Sequence, residues 1–162
     1  MAGSAPAREA PRVEGAVAIV VSRFHEDITE GLLVGALEVT REAGLSDPEV
    51  AVFRLPGAWE LPIAARRAAA SGRFGVVIAL GCVVRGETPH FDFVAGEAAR
   101  GLAGVALEFG VPVGFGLLTT DDLEQARARS APGPANKGRE AALAAFDTMR
   151  TLRGIDGGEP GP

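Results

Sequence analysis

Residues 75–84 have the almost wholly apolar sequence GVVIALGCVV. An apolar run of this length, without alternating polar positions, is typical of a strand that is covered on both faces at the centre of a parallel sheet. Three other apolar runs, in residues 16–22, 49–55 and 111–120, predict three further strands. Helix-like segments follow the strands in alternation, so the chain is predicted to be an α/β protein with a mostly parallel four-stranded central sheet.

Start and stop signals for five helices lie between and after these runs. The signals are Asp27 with Glu30 for a helix that stops at Gly44, a segment from about Trp59 to Ser71, Thr88-Pro89 for a helix that ends at Phe109, Asp121 with Glu124 for a short helix to about Ser130, and Asn136 for a helix to about Leu152. The order of elements predicts a three-layer α/β/α sandwich of the flavodoxin-like kind.

The chain has 162 residues, a length that fits one domain with a substantial core. Residues 1–14 are small, polar and proline-bearing and predict a flexible N-terminal arm, residues 15–153 a single domain, and residues 154–162 a disordered tail.

Charge and composition exclude several classes of function. The net charge of −5 argues against binding to nucleic acid or to an anionic membrane, because a polyanion would be repelled. No apolar stretch reaches the roughly 20 residues that span a bilayer, and residues 1–14 lack the apolar centre of a secretory signal. The lone cysteine, Cys82, agrees with a reducing compartment, so a cytoplasmic protein is expected. With one cysteine and two histidines, no metal site is expected.

Ligands of open α/β sheets bind beyond the carboxyl ends of the strands, which directs attention to the loops that follow them. Phe24 and Trp59 both lie just past strand ends and together could sandwich a flat heterocycle, although for either residue alone ordinary packing is the better explanation. Cys82 lies inside the central apolar run and is interpreted as a small core residue rather than a nucleophile.

The segment RGETPHFDF, residues 85–93, follows the central strand. Gly86 allows close approach of a ligand to the backbone, and the following helix start offers free amides to an anion. Histidine side chains exchange protons near neutral pH, so His90 in the first helical turn is a candidate general acid or base. A surface helix histidine is the alternative, and His25 is interpreted as such a solvated residue.

Basic residues follow the fourth strand. Arg129 near a helix end and Lys137 near the next helix start could bind one phosphate together, with a solvated basic face as the alternative. Spacing alone thus indicates a phospho-ligand site with a histidine base.

Six blocks of the sequence occur in the order and spacing found in lumazine synthases: RFH with ITEGLL, PGAWELP, LGCVVRGETPHFDFV, FGLLTT, EQA and NKG. The chain resembles this family over residues 16 to about 150. The resemblance implies a transferase that uses no cofactor and condenses 5-amino-6-(D-ribitylamino)uracil with 3,4-dihydroxy-2-butanone 4-phosphate. The product would be 6,7-dimethyl-8-ribityllumazine, a precursor of riboflavin.

The resemblance also implies roles for individual residues. Phe24 would stack on the pyrimidine, and His90 would be the general acid/base. Backbone groups of two short stretches would hold the uracil edge and the ribityl chain, namely Ala58, Trp59 and Glu60, and Cys82, Val83 and Val84. Glu87 and Thr88 would bracket the butanone phosphate, with Arg129 as its counter-charge. Phe115 would reach into the site of a neighbouring subunit, and Lys137 and Glu140 would line the same pocket. Trp59 stands where the family more often has phenylalanine.

Family members assemble as pentamers, and many build shells of sixty subunits. The linker between Arg129 and Asn136 is short here, SAPGPA, which resembles the shell-forming members. The expected partners are therefore small-molecule substrates, further copies of the chain in a pentamer or shell, and riboflavin synthase as a candidate guest. Three alternatives stay open: a cage or flavin-binding paralogue without activity, a riboflavin synthase of the archaeal type, and a generic flavodoxin-like binder.

Overall fold

The computed structural model describes residues 15–157, and the predicted N-terminal arm lies outside them. In chain order the elements are β1 (Ala16–Ser22), α1 (Glu26–Glu42), β2 (Val50–Leu55), α2 (Leu61–Ala70), β3 (Phe74–Val84), α3 (His90–Phe109), β4 (Val113–Thr120), α4 (Leu123–Ser130) and α5 (Lys137–Ile155), with short 3₁₀ turns at Asp47–Glu49 and Ala58–Glu60. All four predicted strands are present.

The four strands form one parallel sheet in the order β2-β1-β3-β4. Side chains alternate between its faces, so Ile78 and Leu80 pack toward α1 and α5 while Val77 and Ala79 pack toward α2 and α3. The core therefore consists of two apolar layers, one on each face of the sheet. The predicted three-layer α/β/α architecture of the flavodoxin-like kind is confirmed.

Helix starts differ in detail from the predicted caps. The residue before α1 is His25, whose backbone is left-handed (φ 59°) and whose carbonyl accepts hydrogen bonds from the amides of Ile28 and Thr29, so the predicted Asp27 cap is wrong. Pro89, without a side-chain cap, precedes α3, so the predicted Thr88 cap is also wrong. In both places backbone geometry rather than a side-chain oxygen begins the helix.

The other boundaries are closer to prediction. Asp122 rather than Asp121 caps α4 by accepting a hydrogen bond from the Gln125 amide. The segment predicted as one helix from Trp59 divides into a 3₁₀ turn and α2. Asn136 caps α5 as predicted, and this helix continues to Ile155. Residues 154 and 155 are therefore helical rather than part of the predicted tail, and residues 158–162 lie outside the described part of the chain.

Within residues 15–157, no helix is long and apolar enough to cross a bilayer.

Candidate active site

A cavity of about 620 Å³ opens beyond the carboxyl ends of β1, β2 and β3. Its lining residues are Phe24, Gly57, Ala58, Trp59, Glu60, Cys82, Val83, Val84, Gly86, Thr88, His90, Phe91, Phe93 and Val94. They come from three separate stretches of the chain, at residue 24, residues 57–60 and residues 82–94, which meet here because parallel strands end at one edge of the sheet. The volume is in the range of small-molecule sites.

Two exposed aromatic rings form part of the wall. Phe24 is 65% exposed and Trp59 is 59% exposed, so both offer a large apolar surface to a ligand. The backbone beside Phe24 is anchored, since the amides of Arg23 and Phe24 donate to the carbonyls of Leu55 and Pro56 at 2.8 and 3.2 Å. Both rings line the same cavity, and their stacking on a heterocycle stays a prediction.

The sequence context of His25 suggests a solvated side chain, but the structure also gives this side chain a packing contact. Its side chain is only partly exposed, and its ring meets the Phe24 ring edge-on with centroids 4.6 Å apart. This contact helps to orient Phe24 at the mouth of the cavity.

The Glu60 carboxylate is directed at the backbone. One of its oxygens accepts a hydrogen bond from the Gly57 amide at 3.0 Å, which closes the 3₁₀ turn that carries Ala58 and Trp59. The turn, rather than a helix, therefore sets the position of the Trp59 ring.

The Cys82 thiol is buried at the end of β3. Burial, with a smaller contribution from the negative charge of Asp27, raises the pKa of Cys82 to about 11. The thiol is therefore protonated at neutral pH and is a poor nucleophile, which agrees with its interpretation as a core residue.

His90 is the first residue of α3 and stands exposed at the rim of the cavity. Within residues 15–157 its imidazole has no hydrogen-bond or ion-pair partner. Its position therefore depends on the backbone of the preceding loop and of the first turn of α3.

That loop is held at its start by Arg85. The Arg85 amide donates to the Thr120 carbonyl at 2.8 Å, and its guanidinium lies 3.2 Å from Asp121 and 3.6 Å from Asp92. The same guanidinium stacks on the ring of Phe91, 4.4 Å from its centroid.

A second group of predicted site residues lies elsewhere. Phe115, Lys137 and Glu140 line a groove of about 350 Å³ between β4 and α5, where the Lys137 ammonium and the Glu140 carboxylate pair at 2.8 Å. Arg129 is exposed on α4 and donates to the Gln125 carbonyl of its own helix. Glu87 is exposed in the loop after β3 and is not among the cavity lining.

Four lining residues were not singled out from the sequence: Gly57, Phe91, Phe93 and Val94. Helical spacing could have identified Phe93 and Val94, because they lie three and four positions after His90 and therefore share its face of the helix.

No group of three or more histidine, cysteine, aspartate or glutamate side chains is placed to hold a metal ion in the described part of the chain.

The sheet and its cavity define a flavodoxin-like α/β protein with a candidate small-molecule site beyond the carboxyl ends of its strands. Within this class, residues 14–153 match the family described as 6,7-dimethyl-8-ribityllumazine synthase. The match covers most of the chain, and the chain belongs to that family. The family implies a small-molecule-binding enzyme of riboflavin biosynthesis, and the resemblance noted in the sequence is confirmed.

Among solved structures, the chain is similar to the crystal structure of a GDP-L-fucose synthetase from Naegleria fowleri bound to NADP. The similarity has a TM-score of 0.41 and 13% sequence identity, and it covers 93% of this chain. The chain spans about half (51%) of the length of that structure. At this level the likeness adds nothing to the family match.

Proposed function

We propose that the chain is a transferase that condenses 5-amino-6-(D-ribitylamino)uracil with 3,4-dihydroxy-2-butanone 4-phosphate. The products are 6,7-dimethyl-8-ribityllumazine, phosphate and two water molecules, and no cofactor takes part. The cytoplasm as its location and residues 15–153 as a single catalytic domain belong to the same proposal.

The observation that carries this function is the composition of the 620 Å³ cavity. The aromatic rings of Phe24 and Trp59 suit a flat pyrimidine, and the strand end at Cys82, Val83 and Val84 offers backbone groups to its polar edge. The family match over residues 14–153 points to the same ligand.

The chemistry needs little beyond positioning and one proton carrier. The 5-amino group of the pyrimidine attacks the ketone and expels water, which leaves an imine. A proton is removed next to the imine as the C–O bond to phosphate breaks, and the resulting enol becomes a ketone. The ribitylamino nitrogen then attacks this carbonyl and the second water leaves. Holding both substrates together contributes up to about 7–11 kcal/mol in favourable cases.

His90 is the proposed general acid/base, because it is the titratable side chain at the cavity rim on the first turn of α3. Thr88 lines the same cavity beside it, and Glu87 lies next in the loop. These two residues are proposed to bracket the butanone phosphate, which the amides at the start of α3 also favour.

The remaining site residues are proposed to come from a neighbouring copy of the chain. Phe115, Lys137 and Glu140 share a groove separate from the cavity, and Arg129 lies on α4. A site shared between subunits accounts for this separation, with Arg129 as the counter-charge of the phosphate. A pentamer is the assembly proposed, with a sixty-subunit shell favoured by the short linker before Asn136 and riboflavin synthase as a candidate guest.

The test is an absorbance assay with purified protein and both substrates, which follows the lumazine chromophore, with each substrate omitted in turn as the control. We expect turnover in the wild type and a loss of about 10²–10⁴-fold in kcat for His90→Ala with assembly unchanged by light scattering. Full activity in the mutant would refute the role of His90. Absence of turnover in a wild-type protein that still binds lumazine or a flavin would replace the enzyme with a cage or binding paralogue, and formation of riboflavin from lumazine alone would replace it with a riboflavin synthase.

A further inference from the structure

Arg85 is the first residue after the central strand and precedes the residues proposed to bind the phosphate and to transfer protons. It directly follows β3, which ends at Val84, and its own side chain is absent from the cavity lining. The Arg85 guanidinium instead faces away toward β4 and α3, where it has three partners.

These partners belong to different elements. Asp121 directly follows β4, and the Arg85 Nε atom lies 3.2 Å from its Oδ1 atom. Asp92 is in the first turn of α3, with its Oδ1 atom 3.6 Å from the Arg85 Nη1 atom. The Phe91 ring, which forms part of the cavity wall, lies under the guanidinium at 4.4 Å. One planar cation thus connects the end of β4 to the start of α3.

The segment between Arg85 and these partners has few other restraints. Residues 86–90 are all exposed, and in the described part of the chain no side-chain hydrogen bond from another element reaches them. A side chain added at Gly86 would meet nothing within 4 Å, so the loop is open at this position. The start of α3 also lacks a side-chain cap. In the described part of the chain, the Arg85 contacts are therefore the polar side-chain links between the first turn of α3, where His90 stands, and the end of β4.

We propose that Arg85 is a positioning residue, which fixes the start of α3 through Asp92, Phe91 and Asp121 and so holds His90 and Thr88 at the cavity. This inference rests on the proposed function, because it assigns to those two residues the work of the reaction. Arg85 itself does not touch the substrates in this arrangement.

Because the ion pairs of Arg85 are exposed, a positioning role for Arg85 predicts different effects on stability and on catalysis. The side chains of Arg85, Asp92 and Asp121 are 48%, 62% and 72% exposed, and exposed ion pairs contribute little to global stability. Substituting Arg85 should therefore leave unfolding nearly unchanged. Displacement of a reacting group by about 1 Å can nevertheless reduce a rate by about 10²-fold. A large kinetic effect without a stability effect is the expected signature.

Arg66 provides a matched control at the other end of α3. Its guanidinium pairs with Glu108 at 3.0 Å and lies 5.2 Å from the centroid of the Phe109 ring, and its side chain is 56% exposed. Arg66→Gln removes the same kinds of contact as Arg85→Gln, but away from the cavity.

The experiment compares Arg85→Gln, Arg85→Lys and Arg66→Gln in steady-state assays and thermal melts. We expect Arg85→Gln to lower kcat by about tenfold or more, with KM for the pyrimidine within about twofold, because Phe24 and Trp59 stand on other elements. Arg85→Lys should recover part of the rate, since it keeps the charge but loses the planar stack on Phe91. Arg66→Gln should match the wild type in kcat. Equal kcat values in Arg85→Gln and Arg66→Gln would overturn the proposal.

A direct role of Arg85 in phosphate binding predicts a different pattern. In that case Arg85→Gln would raise KM for the butanone phosphate and keep kcat, while Asp121→Asn would leave both unchanged. The positioning role predicts instead that Asp121→Asn lowers kcat in the same direction as Arg85→Gln, and that the double mutant loses less than the product of the two single effects.

Amide hydrogen exchange separates this inference from the proposed function. If the wild type turns over no substrate, the proposed function fails, while the restraint on the loop can still be measured. Faster exchange of the Asp92 amide, which donates to the Pro89 carbonyl at 3.0 Å, in Arg85→Gln than in Arg66→Gln would support the restraint, and equal rates would refute it.

Discussion

Replacing Asn136 with alanine should destabilise the protein more than the loss of an ordinary helix cap. The Asn136 side chain is 2% exposed, and its Oδ1 atom accepts hydrogen bonds from the amides of Gly138 and Arg139 at 2.9 and 3.1 Å. Its Nδ2 group donates to the carbonyls of Gly31, Ser130 and Ala131 at 2.9–3.1 Å. One amide therefore joins α1, the end of α4 and the start of α5.

The magnitude follows from these two sets of bonds. Loss of the cap costs about 1 kcal/mol. Loss of the donor leaves at least the Ser130 carbonyl buried without a partner, at about 1–3 kcal/mol. The free energy of unfolding should thus fall by about 3 kcal/mol, which corresponds to a decrease in Tm of about 6–12 °C for a chain of this size.

Urea unfolding followed by circular dichroism, at one fixed protein concentration, measures the effect. The control is Asp122→Ala, which removes a single exposed cap bond to the Gln125 amide and should cost only about 1 kcal/mol. Asn136→Asp keeps the acceptor but turns a carboxylate toward three carbonyl oxygens, so it should lose at least as much as the alanine variant. The reasoning is refuted if Asn136→Ala costs no more than Asp122→Ala.

Three further predictions concern charge, thiol reactivity and ligand binding. Both oxygens of the Glu42 carboxylate accept hydrogen bonds from Arg139, which lower the pKa of Glu42 below its ordinary value of 4.5. The stabilisation by this ion pair is therefore complete above about pH 4.5 and is lost as the pH falls through the pKa of Glu42 in the folded protein. The difference in unfolding free energy between wild type and Arg139→Gln should be at most about 1 kcal/mol at pH 7 and should shrink toward pH 3. A difference that stays constant with pH in urea unfolding would contradict this. Because burial raises the pKa of Cys82 to about 11, iodoacetamide should label it at pH 7.5 far more slowly than it labels free cysteine, as followed by mass spectrometry; labelling at the rate of free cysteine would contradict the buried, protonated thiol. Trp59 is the single tryptophan and the chain has no tyrosine, so a lumazine bound in the cavity should quench the intrinsic fluorescence; unchanged emission at saturating ligand would place the ligand elsewhere.

Much of the fold was predictable because it depends on local pattern. The apolar run of β3 required cover on both faces, and the structure provides it with α1 and α5 on one side and α2 and α3 on the other. α1 stops at Gly44 and α3 ends at Phe109 as predicted, since Gly44 and Gly110 adopt positive φ angles that L side chains rarely adopt. The cap positions at Asp27 and Thr88 were wrong because each helix begins through backbone contacts that leave no pattern in the sequence.

The candidate site was predictable in part for the same reason. Loops after parallel strands meet at one edge, so the sequence alone groups Phe24, Trp59 and His90, and all three line the cavity. The prediction that Arg129 and Lys137 bind one phosphate together depended on the path of the chain after β4. Neither residue lines the cavity of its own chain. Their proposed place in a neighbouring copy stays a prediction.

The sequence by itself determined the order of strands and helices, the parallel sheet and the family, because hydrophobic period, turn residues and motif spacing are properties of neighbouring positions. Only the tertiary structure decided which side chains share the 620 Å³ cavity, that Arg85 joins the end of β4 to the start of α3, and that Asn136 joins three helical elements. Such contacts join separate elements of the fold, and the relative placement of those elements depends on how they pack, which no pattern of neighbouring positions encodes.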